Sequence, residues 1–186
     1  MTLIKEIEKY QEKSLPIKLH LGCGPNLYEG WINVDGDYCA GQPGVTIHNL
    51  TDIYPVPDNT VDEILSVHVI EHIMPDKVPN MLKEWHRILK PGGFVATEWP
   101  DLLKMCKFIV TDPSRIYSDN KKILKQGVAG IFGNIGKYQN VAMLHKWGYS
   151  ADSLSKMLKD VGFSNTVIEP NKYPKTAMCS RVVAYK

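Results

Sequence analysis

Apolar residues recur at helical spacing in several stretches of the chain. Over residues 78–89 they fall at i, i+3, i+4 and i+7, and this pattern predicts an amphipathic helix. Pro91-Gly92-Gly93 follows and ends it, as proline and glycine do after helix C-termini. The same spacing predicts an N-terminal helix over residues 2–13 and a late helix over residues 154–161. Weaker patterns predict two more helices, over residues 101–110 and 114–126.

Short apolar runs alternate with these helices and predict buried strands. The first two runs, 17–21 and 31–35, are joined by only nine residues, 22–30. A helical crossover between parallel strands normally needs about a dozen residues or more, so we expect only a short helical turn in this connection. Further strands are predicted at 45–48, 61–69, 94–98, 166–168 and 182–185, the last two as an antiparallel pair.

The alternation of strands and helices predicts an α/β fold, a mostly parallel sheet with helices on both faces. A chain of 186 residues fits one domain, which we expect to span residues 1–186. Residues 1–16 would form a helix that packs on the sheet or acts as a lid over a cofactor. Residues 127–149 interleave five glycines with aromatic side chains, a composition typical of a mobile segment.

Composition narrows the classes of partner. The net charge of +2 is close to balanced, and without an evident basic stripe we expect no nucleic-acid partner. No apolar run approaches the roughly 20 residues that a membrane helix needs, and the N-terminus lacks a secretory signal, so we expect a cytoplasmic protein with no membrane partner. The four cysteines lack metal-type spacing, so we expect free thiols and no metal site.

The most informative chemistry lies where the first strand ends at Gly22-Cys23-Gly24. A glycine loop after a strand lets a ligand approach the bare backbone, whose amides can bind a carboxylate or a phosphate. Asp35 ends the next strand, where a carboxylate can accept hydrogen bonds from both hydroxyls of a ribose. Together these residues predict a site for a nucleoside-bearing cofactor.

The spacing does not fit a dinucleotide. The third glycine of the G-x-G-x-x-G fingerprint is replaced by Leu27, and Asp35 follows Gly24 by 11 residues rather than about 20. A nicotinamide-dependent enzyme is therefore a minor alternative. No Walker loop is present in the sequence.

At this point the chain resembles the class I S-adenosylmethionine-dependent methyltransferases, especially their small, type-11-like members. The resemblance covers roughly residues 17–102. It rests on six motifs in the family's order, LHLGCGPN (19–26), GWINVD (30–35), LTDIYPVPDNTVDEI (50–64), SVHVIEHI (66–73), WHRILKPGGFV (85–95) and WPDL (99–102). It implies a Rossmann-like seven-stranded sheet of order 3-2-1-4-5-7-6, with the last strand antiparallel, and S-adenosylmethionine as the cofactor.

The resemblance also implies a set of cofactor-binding residues. In it the glycines lie against the methionine part of the cofactor, and Asp35 binds the ribose. Asn49 stands where the family often has an aspartate near the adenine, so Asp52 is an alternative for that contact. The full set is Gly22, Cys23, Gly24, Asp35, Asn49, Leu50, Ser66 and His68.

The acceptor side is less defined by sequence. His145, His68 and Asp101 are the candidate catalytic residues, with His145 the first candidate for a general base and His68 the second. Residues 99–149 would form the acceptor-binding region. We expect a small-molecule or saccharide acceptor that is methylated by in-line displacement.

Two other readings stay open. A non-catalytic cofactor-binding or scaffold protein could keep the glycine loop and Asp35 yet lack an acceptor pocket. His68-Val69-Ile70-Glu71-His72 also spells H-x-x-E-H, a zinc-peptidase motif that needs all five residues on one helix. Residues 61–67 read as a strand and Pro75 follows closely, so this alternative is weak.

Overall fold

A single seven-stranded sheet organises the chain. The computed structural model describes residues 2–36, 39–133, 141–173 and 177–186. The strand order β3-β2-β1-β4-β5-β7-β6 is the order expected, and β7 runs antiparallel to both of its neighbours. The strands are β1 (Lys18–Leu21), β2 (Ile32–Asp35), β3 (Val45–Ile47), β4 (Val61–Val67), β5 (Leu89–Pro100), β6 (Asn165–Glu169) and β7 (Cys179–Tyr185).

Most of the helices predicted from the apolar periodicity are present. They are α1 (Leu3–Glu12), α2 (Val78–Ile88), α3 (Leu102–Val110), α4 (Lys121–Gln126), α5 (Val128–Phe132) and α6 (Ala151–Asp160). The helix predicted over 114–126 is divided into a 3-10 turn, Pro113–Tyr117, and α4, because Asn120 caps a new helix by accepting from the Lys122 N–H. The longest helix has 11 residues, and none in the described part of the chain could cross a membrane.

The main core lies on one face of the sheet. Leu19 of β1 lies beside Ile32 of β2 and Ile64 of β4, and all three are buried on that face. Three helices cover it with the apolar sides that the sequence pattern predicts. The buried helical residues are Leu3 and Ile7 of α1, Val78, Met81, Leu82, Trp85 and Ile88 of α2, and Leu154 and Leu158 of α6.

The opposite face carries a much smaller apolar cluster. Leu65, Ala96 and Val183 lie side by side on β4, β5 and β7, and each is buried. Tyr28 and Trp31, from the β1–β2 connection, pack against this cluster. No described helix contributes a side chain to it. The connection itself therefore covers this part of the sheet.

The β1–β2 connection contains turns and no helix, so the helical turn expected over residues 22–30 is wrong. The physical reason is Asn33, which is buried below the connection. Its Oδ1 accepts from the Tyr28 N–H at 3.0 Å, and its Nδ2 donates to the Tyr28 carbonyl at 3.1 Å. The side chain thus satisfies backbone groups that a helix would otherwise have to pair.

Gly22 begins this connection in a conformation that suits glycine. Its φ is +72°, in the left-handed region, and its N–H donates to the Val34 carbonyl at 2.9 Å. A Cβ on Gly22 would overlap Cγ2 of Val69. The loop after β1 and the chain after β4 therefore approach each other as closely as backbone and side chain allow.

We predict that Gly22→Ala destabilises the protein more than Gly24→Ala. Gly24 also has a positive φ, +50°, but a Cβ there meets no atom within 4 Å. Gly24→Ala should therefore cost only the left-handed strain of about 1–2 kcal/mol. Gly22→Ala adds the overlap with Val69, worth about 1–3 kcal/mol. Urea denaturation of each variant gives the free energy of unfolding.

The double variant Gly22→Ala/Val69→Ala identifies the cause. Val69→Ala removes the methyl group that the new Cβ would meet, so the cost of Gly22→Ala should shrink in that background. If Gly22→Ala lowers the free energy of unfolding equally in the wild-type and Val69→Ala backgrounds, the contact with Val69 does not restrict this position.

Candidate active site

The Asp35 carboxylate joins two loops at the carboxyl ends of β1 and β2. It is 2% exposed, and its Oδ2 accepts from the Gly24 N–H at 2.6 Å. Its Oδ1 accepts from the Gly36 N–H at 2.7 Å. Asp35 thus has a structural task that the sequence did not indicate. A carboxylate can accept about four hydrogen bonds, so the ribose contact stays a compatible prediction.

The glycine loop fits a ligand that lies against its backbone. A Cβ on Gly24 would meet nothing within 4 Å, so open space adjoins that residue. Gln42, which sequence reasoning missed, donates from Nε2 to the Gly24 carbonyl at 3.1 Å. Burial, with Asp35 nearby, raises the pKa of the buried Cys23 thiol to about 12. Cys23 is therefore a neutral thiol that can contact a ligand, not a nucleophile.

The residues after β3 form a small hydrogen-bonded loop. Asn49 is exposed, and its Oδ1 accepts from the N–H and the hydroxyl of Thr51 at 3.2 and 3.1 Å. Its Nδ2 donates to Oδ1 of Asp52 at 3.1 Å. The two alternatives for the adenine contact are thus bonded to each other, while Leu50 is buried in the main core. The adenine contact itself stays a prediction.

The end of β4 brings Ser66 and His68 to the same edge of the sheet. Ser66 is fully buried, and its Oγ has no hydrogen-bond partner among the described residues. His68 has φ +55°, an unusual left-handed conformation for a non-glycine residue, of the kind that often marks functional sites. Its Nδ1 lies 3.2 Å from Oε1 of Glu71, and its Nε2 lies 3.8 Å from Sγ of Cys179.

These contacts set the charge of His68. Burial alone would lower its pKa, but the hydrogen bonds to Cys179 and Glu71 outweigh burial and raise the pKa to about 10. Burial would raise the pKa of Glu71, yet His68 lowers it below its usual value. Both shifts favour the form in which His68 is an imidazolium and Glu71 a carboxylate. A protonated His68 cannot accept a proton, which leaves His145 as the candidate base.

His145 lies against the turn that follows β4. Its ring meets the His72 ring edge-on, with 4.9 Å between the centroids. Burial lowers the pKa of His145, although the Glu71 carboxylate acts in the opposite direction. A neutral imidazole at this place has a lone pair for a proton or another electrophile. The sequence named His145 but not its contact with Glu71 and His72.

Asp101 is buried and joins three elements through its hydrogen bonds. The carboxylate is 3% exposed and caps α3, with Oδ1 accepting from the Lys104 N–H at 3.1 Å. Its Oδ2 accepts from the Ser180 hydroxyl at 2.7 Å and from the Ala151 N–H at 3.2 Å. These bonds join α3, α6 and β7. The structure thus gives Asp101 a structural role, and a catalytic role for it stays a prediction.

Glu71 is the residue that sequence reasoning undervalued. Its side chain is 2% exposed, and its Oε2 has no hydrogen-bond partner in the described part of the chain. Its main-chain carbonyl accepts from the Lys146 N–H at 2.7 Å, which ties the segment after residue 140 to the turn. The sequence did contain a signal for Glu71, because an acidic residue soon after an apolar strand lies where ligands bind. The motif SVHVIEHI includes Glu71, but its pattern alone does not show that the side chain is buried.

The H-x-x-E-H reading fails on backbone geometry. His68 is left-handed, and only Ile70–His72 form a 3-10 turn, so the five residues do not share one helix. The three ligand atoms that lie within 4.8 Å of one another come from Glu71, His72 and His145, so His68 is not part of this group. The zinc-peptidase arrangement is therefore absent from this segment.

Charge is strongly segregated along the chain. Residues 102–149 contain eight lysines and arginines but only two aspartates, a net charge of +6, so the rest of the chain carries −4. The near-zero total hides this difference. The lysines at 107, 121, 122, 125 and 146 are exposed, and none forms an ion pair within the described ranges.

A methyltransferase family model matches the centre of the chain. The model is described as a methyltransferase domain, and it covers residues 32–97, from β2 to β5. That stretch includes Asp35, His68 and Glu71. The matched region therefore contains much of the candidate site.

Curated relatives give local matches. The tRNA N(3)-cytidine methyltransferase METTL2 of Bos taurus is 40% identical over 52 residues, which are 26% of this chain and 14% of that protein. The METTL2 of Mus musculus is 40% identical over 65 residues, 33% of this chain and 17% of that protein. The chain thus spans less than a fifth of these relatives. These relatives are named tRNA methyltransferases, so the expectation of no nucleic-acid partner is wrong. It was drawn from the total charge, which masks the basic segment 102–149.

Solved structures share the fold over nearly the whole chain. A SAM-dependent methyltransferase from Archaeoglobus fulgidus has a TM-score of 0.62 at 15% identity, over 98% of this chain and 92% of its own. The 1,6-didemethyltoxoflavin-N1-methyltransferase of Burkholderia thailandensis, solved with S-adenosylhomocysteine, has a TM-score of 0.56 at 17% identity, over 95% and 74% of the two chains.

These comparisons agree with the geometry of the site. The sheet order, the glycine loop after β1 and the acidic residue after β2 are the features that the resemblance implied. One of the solved structures with this fold is described as a SAM-dependent methyltransferase, and another was solved with S-adenosylhomocysteine. Residues 32–97 thus match a methyltransferase domain, and the chain has the fold of solved S-adenosylmethionine-dependent methyltransferases.

Proposed function

We propose that this chain transfers a methyl group from S-adenosylmethionine to an acceptor bound by residues 99–149. The observation that carries the proposal is the tie between Gly24 and Asp35. It lies at the carboxyl ends of β1 and β2, beside the switch point where open α/β sheets bind ligands. S-adenosylmethionine, when bound, supplies a methyl group that its sulfonium makes electrophilic.

The chain's own residues would then position the cofactor and the acceptor, and one of them would remove a proton from the acceptor. The Gly22–Gly24 backbone and Asp35 hold the nucleoside and amino-acid parts of the cofactor. Holding the acceptor atom in line with the methyl group can lower the barrier by as much as about 7–11 kcal/mol. His145 is the group to accept a proton from a hydroxyl or amine acceptor, because it is neutral and lies beside the turn after β4.

The observations favour an anionic acceptor of the nucleic-acid class. The +6 charge of residues 102–149 attracts phosphates. The same segment exposes three aromatic side chains on which bases can stack, Tyr117 at 87%, Phe132 at 62% and Trp147 at 55%. The tRNA methyltransferases among the relatives add support. A small-molecule or saccharide acceptor is the outcome that would overturn this choice.

Asp35→Ala should weaken the binding of S-adenosylhomocysteine by about 10–100-fold. A hydrogen bond to a charged group contributes about 1.5–3 kcal/mol, and the variant loses the ribose contact. Isothermal titration calorimetry measures the affinity. Asp160→Ala, at the exposed end of α6, is the matched control and should change nothing.

Because Asp35 also holds Gly24 and Gly36, each variant is first melted without ligand. Asp35→Asn keeps one acceptor oxygen and serves if Asp35→Ala does not fold. Unchanged affinity in a folded variant would remove Asp35 from the cofactor site.

His145→Ala should lower methyl transfer by about 10²–10⁴-fold while S-adenosylhomocysteine binds normally, because general-base catalysis is lost and the cofactor side is intact. Radiolabelled transfer is measured on a panel of tRNA, single-stranded RNA, nucleosides and saccharides. His86→Ala, at a histidine that packs on Phe163 away from the site, is the control.

Loss of both transfer and cofactor binding in His145→Ala would mean that His145 is structural. A wild-type chain that binds S-adenosylhomocysteine and methylates nothing in the panel would be the non-catalytic cofactor-binding protein.

Replacing Lys121, Lys122 and Lys125 by glutamate should weaken binding to a single-stranded RNA oligonucleotide. Fluorescence anisotropy at several salt concentrations gives both the affinity and its salt dependence. Loss of three phosphate contacts should lower the slope of log affinity against log salt by roughly 2. S-adenosylhomocysteine affinity should not change.

The matched control replaces Lys5, Lys9 and Lys13, on and beside α1, by glutamate. Equal weakening by the two triple variants, or methyl transfer to a saccharide with no RNA binding, would contradict the nucleic-acid assignment.

A further inference from the structure

Glu71, His72 and His145 form a cluster that the methyl-transfer proposal leaves only partly used. Each offers one ligand atom, a carboxylate oxygen or an imidazole nitrogen, and these atoms all lie within 4.8 Å of one another. Two of the residues come from the turn after β4 and the third from 73 positions farther along the chain. We propose that this cluster binds a divalent transition-metal ion of the zinc class.

The His72 ring is oriented as a metal ligand requires. Its Nδ1 lies 3.1 Å from the Leu144 carbonyl, so this nitrogen carries the proton and donates. The lone pair is then on Nε2, which lies 3.9 Å from Oε1 of Glu71. Histidines that bind metals commonly donate their other ring N–H to a carbonyl or carboxylate, which fixes the tautomer and the ring.

A hydrogen bond also orients the Glu71 carboxylate, but only one of its two oxygens has a partner among the described residues. Oε1 is oriented by Nδ1 of His68 at 3.2 Å, while Oε2 has no hydrogen-bond partner in the described part of the chain. The side chain is only 2% exposed. A buried carboxylate oxygen without a partner is costly, and a bound cation would satisfy it.

The donor set selects the class of ion. Two imidazole nitrogens and one carboxylate oxygen suit Zn²⁺ and its neighbours Co²⁺, Mn²⁺ and Fe²⁺ better than Ca²⁺ or Mg²⁺, which prefer oxygen. Three protein ligands leave a coordination position open, as in catalytic sites. The cluster begins two residues after Val69, which packs on Gly22 of the loop after β1.

An ion in this place would refine the role of His145. Coordination uses the same nitrogen lone pair that would accept a proton, so His145 cannot do both at once. With the ion bound, the acceptor oxygen or nitrogen would be held by the metal. This inference departs from the expectation of no metal, because sequence spacing cannot bring His145 beside Glu71.

The test measures metal binding to the full chain without cofactor or acceptor. The protein is stripped with a chelator and titrated with Co²⁺ in a visible spectrometer and with Zn²⁺ in a calorimeter. We expect one ion per chain and, for Co²⁺, d–d bands near those of four- or five-coordinate nitrogen–oxygen sites. Glu71→Gln and His145→Gln should each weaken binding by about 100-fold or more, and His86→Gln should not.

Each outcome decides the question. Binding lost in Glu71→Gln and His145→Gln but kept in His86→Gln supports the site. No stoichiometric binding by the wild type, or binding that all three variants retain, overturns it. Melting curves without metal show whether each variant folds. If Glu71→Gln does not fold, His145→Gln, at a half-buried position, tests the site in its place. Because S-adenosylhomocysteine binding is measured separately, failure of the metal site and failure of the proposed function remain distinguishable.

Discussion

The close approach of the Gly22 backbone to Val69 is the constraint on which the candidate site depends. Because no Cβ separates them, the loop after β1 and the chain after β4 share one edge of the sheet without a gap. Val69 is followed directly by the turn Ile70–His72, so the contact that shapes the cofactor loop also positions Glu71 and His72. Cofactor residues and acceptor residues are thereby held on one support.

The site divides into two parts with different chemistry. The cofactor side consists of backbone amides, the buried carboxylate of Asp35 and the closing side chain of Gln42. The proposed acceptor side is centred on Glu71. Against the effect of burial, hydrogen bonds to Cys179 and Glu71 raise the pKa of His68, whereas burial lowers the pKa of His145. Three imidazoles, those of His68, His72 and His145, lie close to this carboxylate, and among the described residues His68 is the one within hydrogen-bond distance of it. The opposite pKa shifts of His68 and His145 suit these two residues to different tasks.

The sequence pattern predicted the features that depend on neighbouring residues. The amphipathic spacing predicted α2, and the glycines after the first apolar run predicted the loop after β1, whereas the strand order was implied only by the family resemblance. Long-range placement was not predictable in the same way. His145 lies beside Glu71 because hydrogen bonds, such as that from the Lys146 N–H to the Glu71 carbonyl, join two segments far apart in sequence. The Asp101 carboxylate likewise accepts from Ser180, which is distant in sequence but lies on the neighbouring strand β7. Averaging charge over the whole chain likewise concealed the basic segment.

The helices between β5 and α6 have an energetic consequence. In α3, only Met105 is buried, and α4 and α5 contain no buried residue, so these helices contact one another more than they contact the sheet. Segments with few buried apolar contacts open with a smaller free energy than the central strands do. We therefore expect α3, α4 and α5 to open together before the central strands do. Subglobal opening there would admit a bulky acceptor without unfolding the nucleoside-binding half.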